Sequence, residues 1–160
     1  MSKILFLANH FLTLHSFRKE MIQKMVKEGH EVWLSLPTDP DNEFFEKMGC
    51  KIIDTTISRR GINPIKDLKL IRDYNRMILD VNPDIIFSFT IKPNIYGSMV
   101  ANRFGVPYIA NITGLGTSIQ NGGIKQKISI SLYKLALRNA QKVFFQNQSD
   151  LQFMVDKKDD

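Results

Sequence analysis

The chain has 160 residues, of which 43% are hydrophobic and 24% charged, and its net charge is +6. This length and balance predict one soluble globular domain with a full hydrophobic core. The single cysteine excludes a disulfide framework and a cysteine-based zinc site. No apolar run approaches the roughly 18 residues of a membrane span, and the first residues lack the pattern of a signal peptide. We therefore expect a cytoplasmic protein.

Short apolar runs alternate with helical patterns along the whole chain. The runs predict six strands, at residues 3–8, 31–36, 50–54, 84–89, 108–112 and 143–146. Apolar residues at helical spacing predict a helix capped by Ser16 and ended by Gly29, then helices at 41–48, 64–81, 94–104 and 124–139, and a last short helix capped by Ser149. Because parallel strands need such crossovers, the pattern predicts a doubly wound, mostly parallel α/β sheet of about six strands.

The expected site lies where the strand order reverses. In the usual order, 3-2-1-4-5-6, the first and fourth strands are neighbours, and ligands bind outside the carboxyl ends of the strands at that point. Three segments should therefore face one another: residues 9–16, 90–94 and 113–123.

The first segment contains no glycine, so it cannot bring its backbone close to a dinucleotide pyrophosphate, and NAD binding and a Walker-type loop are not expected. His10 and His15 could serve as bases or as hydrogen-bond donors to a substrate hydroxyl, or could be purely structural. In the second segment, Thr90 and Lys92 precede a helix start. The lysine there could neutralise a phosphate as a point charge, or could be a surface residue at the rim with no role in binding.

The third segment carries two glycines with hydroxyls on each side. Gly114 and Gly116 let backbone amides approach a ligand. The hydroxyls of Thr113, Thr117 and Ser118 can hydrogen-bond sugar hydroxyls or phosphate oxygens. The alternative is a tight turn that leads into a long loop.

The helix at 124–139 carries two stripes. A polar, basic stripe consists of Lys127, Ser131, Lys134 and Arg138, and an apolar stripe opposite it of Ile124, Ile128, Leu132 and Leu135. The basic stripe could rest on anionic lipid headgroups, or the helix could be an ordinary surface helix with its apolar stripe on the sheet. Nucleic acid is not expected as a partner, because the aromatic residues fall in core patterns rather than among basic residues.

A series of motifs carries a resemblance to a known family. The motifs are Gly29-His30-Glu31-Val32, Pro83-Asp84-Ile85-Ile86, Thr90-Ile91-Lys92-Pro93-Asn94-Ile95-Tyr96-Gly97-Ser98, Gly105-Val106-Pro107-Tyr108-Ile109 and Ile112-Thr113-Gly114-Leu115-Gly116. In this order the chain resembles the Rossmann-like N-terminal half of a GT-B-fold, family-4-type glycosyltransferase. The similar bacterial subgroup builds capsule, O-antigen and other lipid-linked surface glycans.

The resemblance implies a retaining transferase of two Rossmann-like domains. Residues 1–160 would form the acceptor-binding domain, and a C-terminal domain outside this chain would bind most of the nucleotide-sugar donor. The acceptor would be a polyprenyl-diphosphate-linked glycan at the inner face of the plasma membrane, and the nucleotide-sugar would be a co-substrate. No metal and no cofactor would be needed. The chain alone would be inactive.

Many family members keep a histidine after the fourth strand and another after the fifth. Here Thr90 and Thr113 stand in those places, so no catalytic residue is assigned. The resemblance places acceptor contacts on Asn9, His10, Thr90, Lys92, Asn94, Thr113, Gly114 and Gly116. Two alternatives stay open: a stand-alone binding subunit of a two-chain glycosyltransferase, and a fragment of a sugar-nucleotide epimerase.

Overall fold

The structure is a computed structural model that describes residues 1–59 and 61–158. Arg60, Asp159 and Asp160 of the predicted domain lie outside this part of the chain.

Within the described residues, six strands form one sheet in which every pairing is parallel. The strands are β1 (Lys3–Leu7), β2 (Glu31–Leu36), β3 (Lys51–Asp54), β4 (Ile85–Phe89), β5 (Tyr108–Ile112) and β6 (Lys142–Phe145). Their order is β3-β2-β1-β4-β5-β6, which confirms the predicted doubly wound fold. The order reverses between β1 and β4, where Leu7 is paired with Ser88.

Helices connect consecutive strands and cover both faces of the sheet. They are α1 (Phe11–Lys27), α2 (Glu43–Met48), α3 (Pro64–Val81), α4 (Ser98–Phe104), α5 (Thr117–Gln120), α6 (Gly123–Leu137) and α7 (Gln148–Asp156). A 3₁₀ turn, Pro40–Asn42, leads into α2, and a π-helical turn, Pro93–Gly97, leads into α4.

The alternation of side chains along β1 divides the core into two layers. Ile4 and Phe6 pack with the buried residues of α1 and α2 on one face. Leu5 and Leu7 pack with α3 and α4 on the other face, because successive side chains of a strand point to opposite sides. Since α4 contacts both α3 and α6, these three helices form one continuous layer.

Helix α1 begins six residues earlier than predicted. His10 has an extended backbone (φ −163°), and its Nδ1 accepts a hydrogen bond from the N–H of Leu12 at 3.1 Å, so His10 rather than Ser16 is the N-cap. Phe11 and Leu14 are buried, whereas Ser16 is exposed. The apolar face of the helix thus starts before the serine, and burial of two large side chains outweighs the capping preference of one residue.

Other boundaries also differ from the prediction. The cap of α7 is Asn147, whose Oδ1 accepts from the N–H of Asp150 at 2.8 Å; Ser149 lies inside the helix and donates to the same oxygen. The segment 113–123 is not a continuous loop, because α5 forms a short helix within it.

Helix α6 turns a different face to the protein than predicted. Its buried residues are Ser129, Ile130, Tyr133 and Ala136. The predicted core-facing stripe is largely in solvent, with Ile124 76%, Ile128 45% and Leu135 52% exposed. Apolar residues occur on more than one side of this helix, so spacing alone could not select the buried side.

None of the helices within residues 1–59 and 61–158 combines the length and the apolar character that a membrane crossing requires.

Candidate functional site

A polar crevice of about 250 Å³ lies at the carboxyl ends of β1, β4 and β5. It is lined by Asn9, Ile57, Arg59, Thr90, Ile91, Lys92, Thr113, Gly114 and Gly116. The three segments expected to meet at the reversal of strand order therefore do meet there. Of the predicted site residues, His10 and Asn94 are not among the lining residues.

Thr90 stands at the turn from β4 into the helical segment that follows. Its backbone is left-handed, with φ +71°, and its hydroxyl donates to the carbonyl oxygen of Phe89. Its own carbonyl accepts from the N–H of Asn94 at 3.0 Å, which begins the helical hydrogen bonding. A β-branched residue in this conformation costs on the order of 1–3 kcal/mol, and such strain is concentrated at functional sites.

Asn94 is fully buried and joins the ends of two strands. Its Nδ2 donates to the carbonyl of Asn111 at 2.8 Å, and its Oδ1 accepts from the hydroxyl of Ser88 at 2.8 Å. Both polar atoms of the side chain are thus used within the fold, and they hold β4 and β5 in place beneath the crevice.

Of the two histidines in the first segment, His10 is the N-cap of α1 and His15 lies within that helix. His10 is half-buried, and its Nδ1 lone pair is occupied by the cap of that helix. His15 stacks on Phe11 at 4.9 Å between ring centroids and meets Phe44 edge-on at 4.8 Å. The structure thus places His15 in an aromatic cluster, and it is not among the residues that line the crevice.

Lys92 lines the crevice, but it already has a partner. Its Nζ lies 2.6 Å from Oδ1 of Asp67, and the two side chains are only 11% and 7% exposed. Tyr96 donates its hydroxyl to the other oxygen of Asp67 at 3.1 Å. Burial, and then the negative charge of Asp67, raise the pKa of Tyr96 to about 12. Lys92 is therefore a neutralised, fixed group rather than the free point charge that the sequence suggested.

The loop between β3 and α3 contributes two residues that sequence reasoning missed, Ile57 and Arg59. The hydroxyl of Ser35 donates to the hydroxyl of Thr55 at 2.7 Å and anchors the start of this loop. Ile57 then packs with the core layer of α3 and α4. This loop follows β3, which is not one of the strands at the order reversal, so the strand-order rule did not select it.

The loop after β5 forms the opposite wall. Gly116 has φ +73°, and a Cβ there would lie 2.7 Å from Cδ1 of Ile91, so a side chain would be both strained and crowded. A Cβ on Gly114 would meet nothing within 4 Å, which leaves open space above its backbone. Leu115 between them is buried and fixes the loop to the core.

Metal-binding side chains do not cluster in the described part of the chain, where no three of His, Cys, Asp and Glu come together. Cys50 is buried in the core layer that contains α1 and α2, and burial raises the pKa of its thiol to about 11. The thiol is therefore protonated and unreactive at neutral pH.

A doubly wound parallel sheet with a polar crevice at its order reversal defines a Rossmann-like α/β protein. Within that class the chain belongs to the glycosyl transferase 4-like family, whose model matches residues 3–147. The resemblance inferred from the motifs is confirmed.

A curated relative from Campylobacter jejuni is the N,N'-diacetylbacillosaminyl-diphospho-undecaprenol alpha-1,3-N-acetylgalactosaminyltransferase, with 29% identity over 157 residues. The alignment covers 95% of this chain and 42% of that relative, so the chain spans less than half the length of the relative.

Two solved structures show the same fold. The match to MurG of Acinetobacter baumannii covers 92% of this chain and 41% of the MurG chain, with a TM-score of 0.61 and 16% identity. The match to a putative UDP-N-acetylglucosamine 2-epimerase from Listeria monocytogenes covers 99% of this chain and 42% of the epimerase chain, with a TM-score of 0.68 and 14% identity. At these identities the likeness establishes the fold and not the reaction.

Proposed function

We propose that this chain is the acceptor-binding domain of a retaining glycosyltransferase that extends a polyprenyl-diphosphate-linked glycan. The observation that carries the proposal is the crevice, which gathers polar groups from three distant segments in a member of a glycosyltransferase family. The Campylobacter relative, a diphospho-undecaprenol sugar transferase by name, supports this choice of acceptor.

In this proposal the crevice binds the acceptor glycan. The hydroxyls of Thr90 and Thr113 and the amide of Asn9 hydrogen-bond sugar hydroxyls, and the open space above Gly114 admits the sugar ring. A second domain binds the nucleotide-sugar donor and stabilises the charge that develops on the leaving nucleoside diphosphate. The reaction proceeds in the cytoplasm, without a metal or a cofactor, and supplies capsule or lipopolysaccharide synthesis.

The membrane surface is the proposed second partner. Helix α3 follows β3, and α6 follows β5 through the short helix α5, so both begin on the side of the sheet where the strands have their carboxyl ends. Ile65 and Leu68 in the first turns of α3 are exposed, as is Ile124 at the start of α6. The exposed Lys127 lies one turn after Ile124 on α6 and adds positive charge there. An apolar surface with basic neighbours suits an anionic bilayer, which would present the lipid-linked acceptor to the crevice.

The test of the acceptor role is steady-state kinetics of the full-length protein. The assay uses a panel of nucleotide-sugars and a polyprenyl-diphosphate-linked sugar. Thr113→Val removes one hydroxyl from the crevice without changing its volume, and we expect the acceptor KM to rise about 3–10-fold while the donor KM stays unchanged. The isolated 160-residue chain is expected to transfer no sugar.

The matched control is Thr38→Val, because Thr38 is an exposed threonine in the loop after β2 and is not a crevice residue. It should leave both KM values unchanged. A rise in the donor KM for Thr113→Val, with the acceptor KM unaffected, would contradict the assignment of this domain to the acceptor.

A further inference from the structure

The two cationic side chains of the crevice differ in whether their charge is paired. Among the described residues, these two side chains are Arg59 and Lys92. Lys92 is held at 2.6 Å by Asp67 and is almost fully buried, so this pair contributes little net charge to a ligand. Arg59 is exposed and makes no ion pair within residues 1–59 and 61–158.

We infer that Arg59 binds a phosphate oxygen of the acceptor's diphosphate, and that Lys92 is a positioning residue that shapes the wall of the site. This assignment rests on the proposed function and adds the group that recognises the anionic part of the acceptor. It gives a role to the β3–α3 loop, which neither the motifs nor the strand order singled out.

The chemistry of the crevice favours this division. A guanidinium presents a planar fork of donors that matches two oxygens of one phosphate, whereas a lysine acts as a single point charge. Thr113 and Gly114, to which the proposed function assigns the glycan, line the same crevice as Arg59, and the diphosphate is covalently joined to that glycan. Asp67, which contacts the crevice residue Lys92, is already engaged by Lys92 and Tyr96.

Binding of inorganic pyrophosphate to the 160-residue chain, measured by calorimetry, tests the assignment. Arg59→Gln is expected to weaken binding about tenfold, and Arg59→Lys less, because it keeps the charge and loses the fork. Arg103→Gln is the matched control: this exposed arginine lies in the last turn of α4, at the opposite end of the sheet, and should change nothing. Pyrophosphate affinity within about twofold of the wild type for Arg59→Gln would overturn the assignment, and so would a wild-type chain that binds no pyrophosphate.

Donor and acceptor both contain a diphosphate, so a second measurement separates them. In the full-length protein, Arg59→Gln should raise the acceptor KM about tenfold and leave the donor KM unchanged. A rise in the donor KM alone would overturn the acceptor assignment. If the wild-type protein transferred no sugar to any diphosphate-linked acceptor, the proposed function would fail, while the pyrophosphate titration would still decide the role of Arg59.

Discussion

Lys92 and Asp67 form an ion pair that lies almost entirely out of water. Removing one partner of such a pair leaves the other as an uncompensated buried charge. We expect Lys92→Met to lower the free energy of unfolding by about 3–5 kcal/mol, and the double variant with Asp67→Asn to recover most of that loss. Urea unfolding of the wild type and both variants measures these differences.

The control is Lys69→Met, which breaks the pair that Lys69 makes with Asp73 at 3.5 Å on the same helix. Lys69 is exposed to solvent, so its removal should cost about 0.5 kcal/mol or less. An equally small cost for Lys92→Met would show that the buried pair does not stabilise the fold.

Single residues show where sequence reasoning stops. The position of Lys92 was predictable, because a polar residue directly after an apolar strand lies at the edge of the sheet. Asp67 looks like any acidic residue in the first turn of a helix, where it would favour the helix dipole. The partners are 25 residues apart, and they meet only because α3 packs against the π-helical turn. No local pattern contains that information.

The π-helical turn Pro93–Gly97 packs against the sheet through Gly97. The backbone of Gly97 is helical (φ −64°), but a Cβ there would lie 2.5 Å from Cδ1 of Leu7, which is fully buried. We expect Gly97→Ala to lower the free energy of unfolding by about 1–3 kcal/mol through overpacking, as measured by urea unfolding.

Gly114→Ala provides the comparison, since a Cβ on Gly114 meets no atom within 4 Å and its φ is not positive. Its effect on stability should stay within about 0.5 kcal/mol. If both alanine variants were equally stable, the close approach of the π-helical turn to β1 would not constrain residue 97.

Among the elements, the strands and α3 were the most predictable. Helix α3 begins at Pro64 with Asn63 as its cap, and it ends at Val81 as its spacing indicated. The face of α6 was not predictable, because its contacts with α4 and the π-helical turn select small and polar residues such as Ser129 and Ala136 for burial. The buried side of an apolar helix depends on the elements that pack against it, and the spacing of apolar residues does not identify those elements.

At the scale of the whole molecule, the strand order followed from the crossover rule, and the crevice followed from the strand order. The same rule left out Arg59, because the loop after β3 starts two strands away from the reversal. The loop reaches the crevice past Ile57, which packs on the core layer of α3 and α4. Topology therefore predicts the position of the crevice more reliably than it predicts every residue that lines it.

The exposed apolar side chains of α6 should make membrane binding measurable. We expect the chain to co-sediment with vesicles of phosphatidylcholine and phosphatidylglycerol, and the double variant Ile124→Ser with Ile128→Ser to bind several-fold less. Raising the salt from about 0.05 to 0.5 M should weaken binding of the wild type, because ions screen the attraction of the basic residues to the headgroups.

The matched control is the double variant Leu12→Ser with Phe17→Ser, two equally exposed apolar residues on α1, on the other face of the sheet. It should bind vesicles like the wild type. If this control lost vesicle binding, or if the α6 variant kept it, the membrane contact would not lie on α6. A wild-type chain that stays in the supernatant would rule out the membrane as a partner.

The pairing of β1 with β4 has one more consequence. These strands are adjacent in the sheet, although Lys3 and Asp84, which hydrogen-bond across their ends, are 81 residues apart. The crevice cannot exist until this distant closure is made, so a molecule that occupies it recognises only the native state. Any such molecule must shift the melting temperature upward with its concentration, and thermal denaturation offers a simple screen for sugars and phosphates that bind.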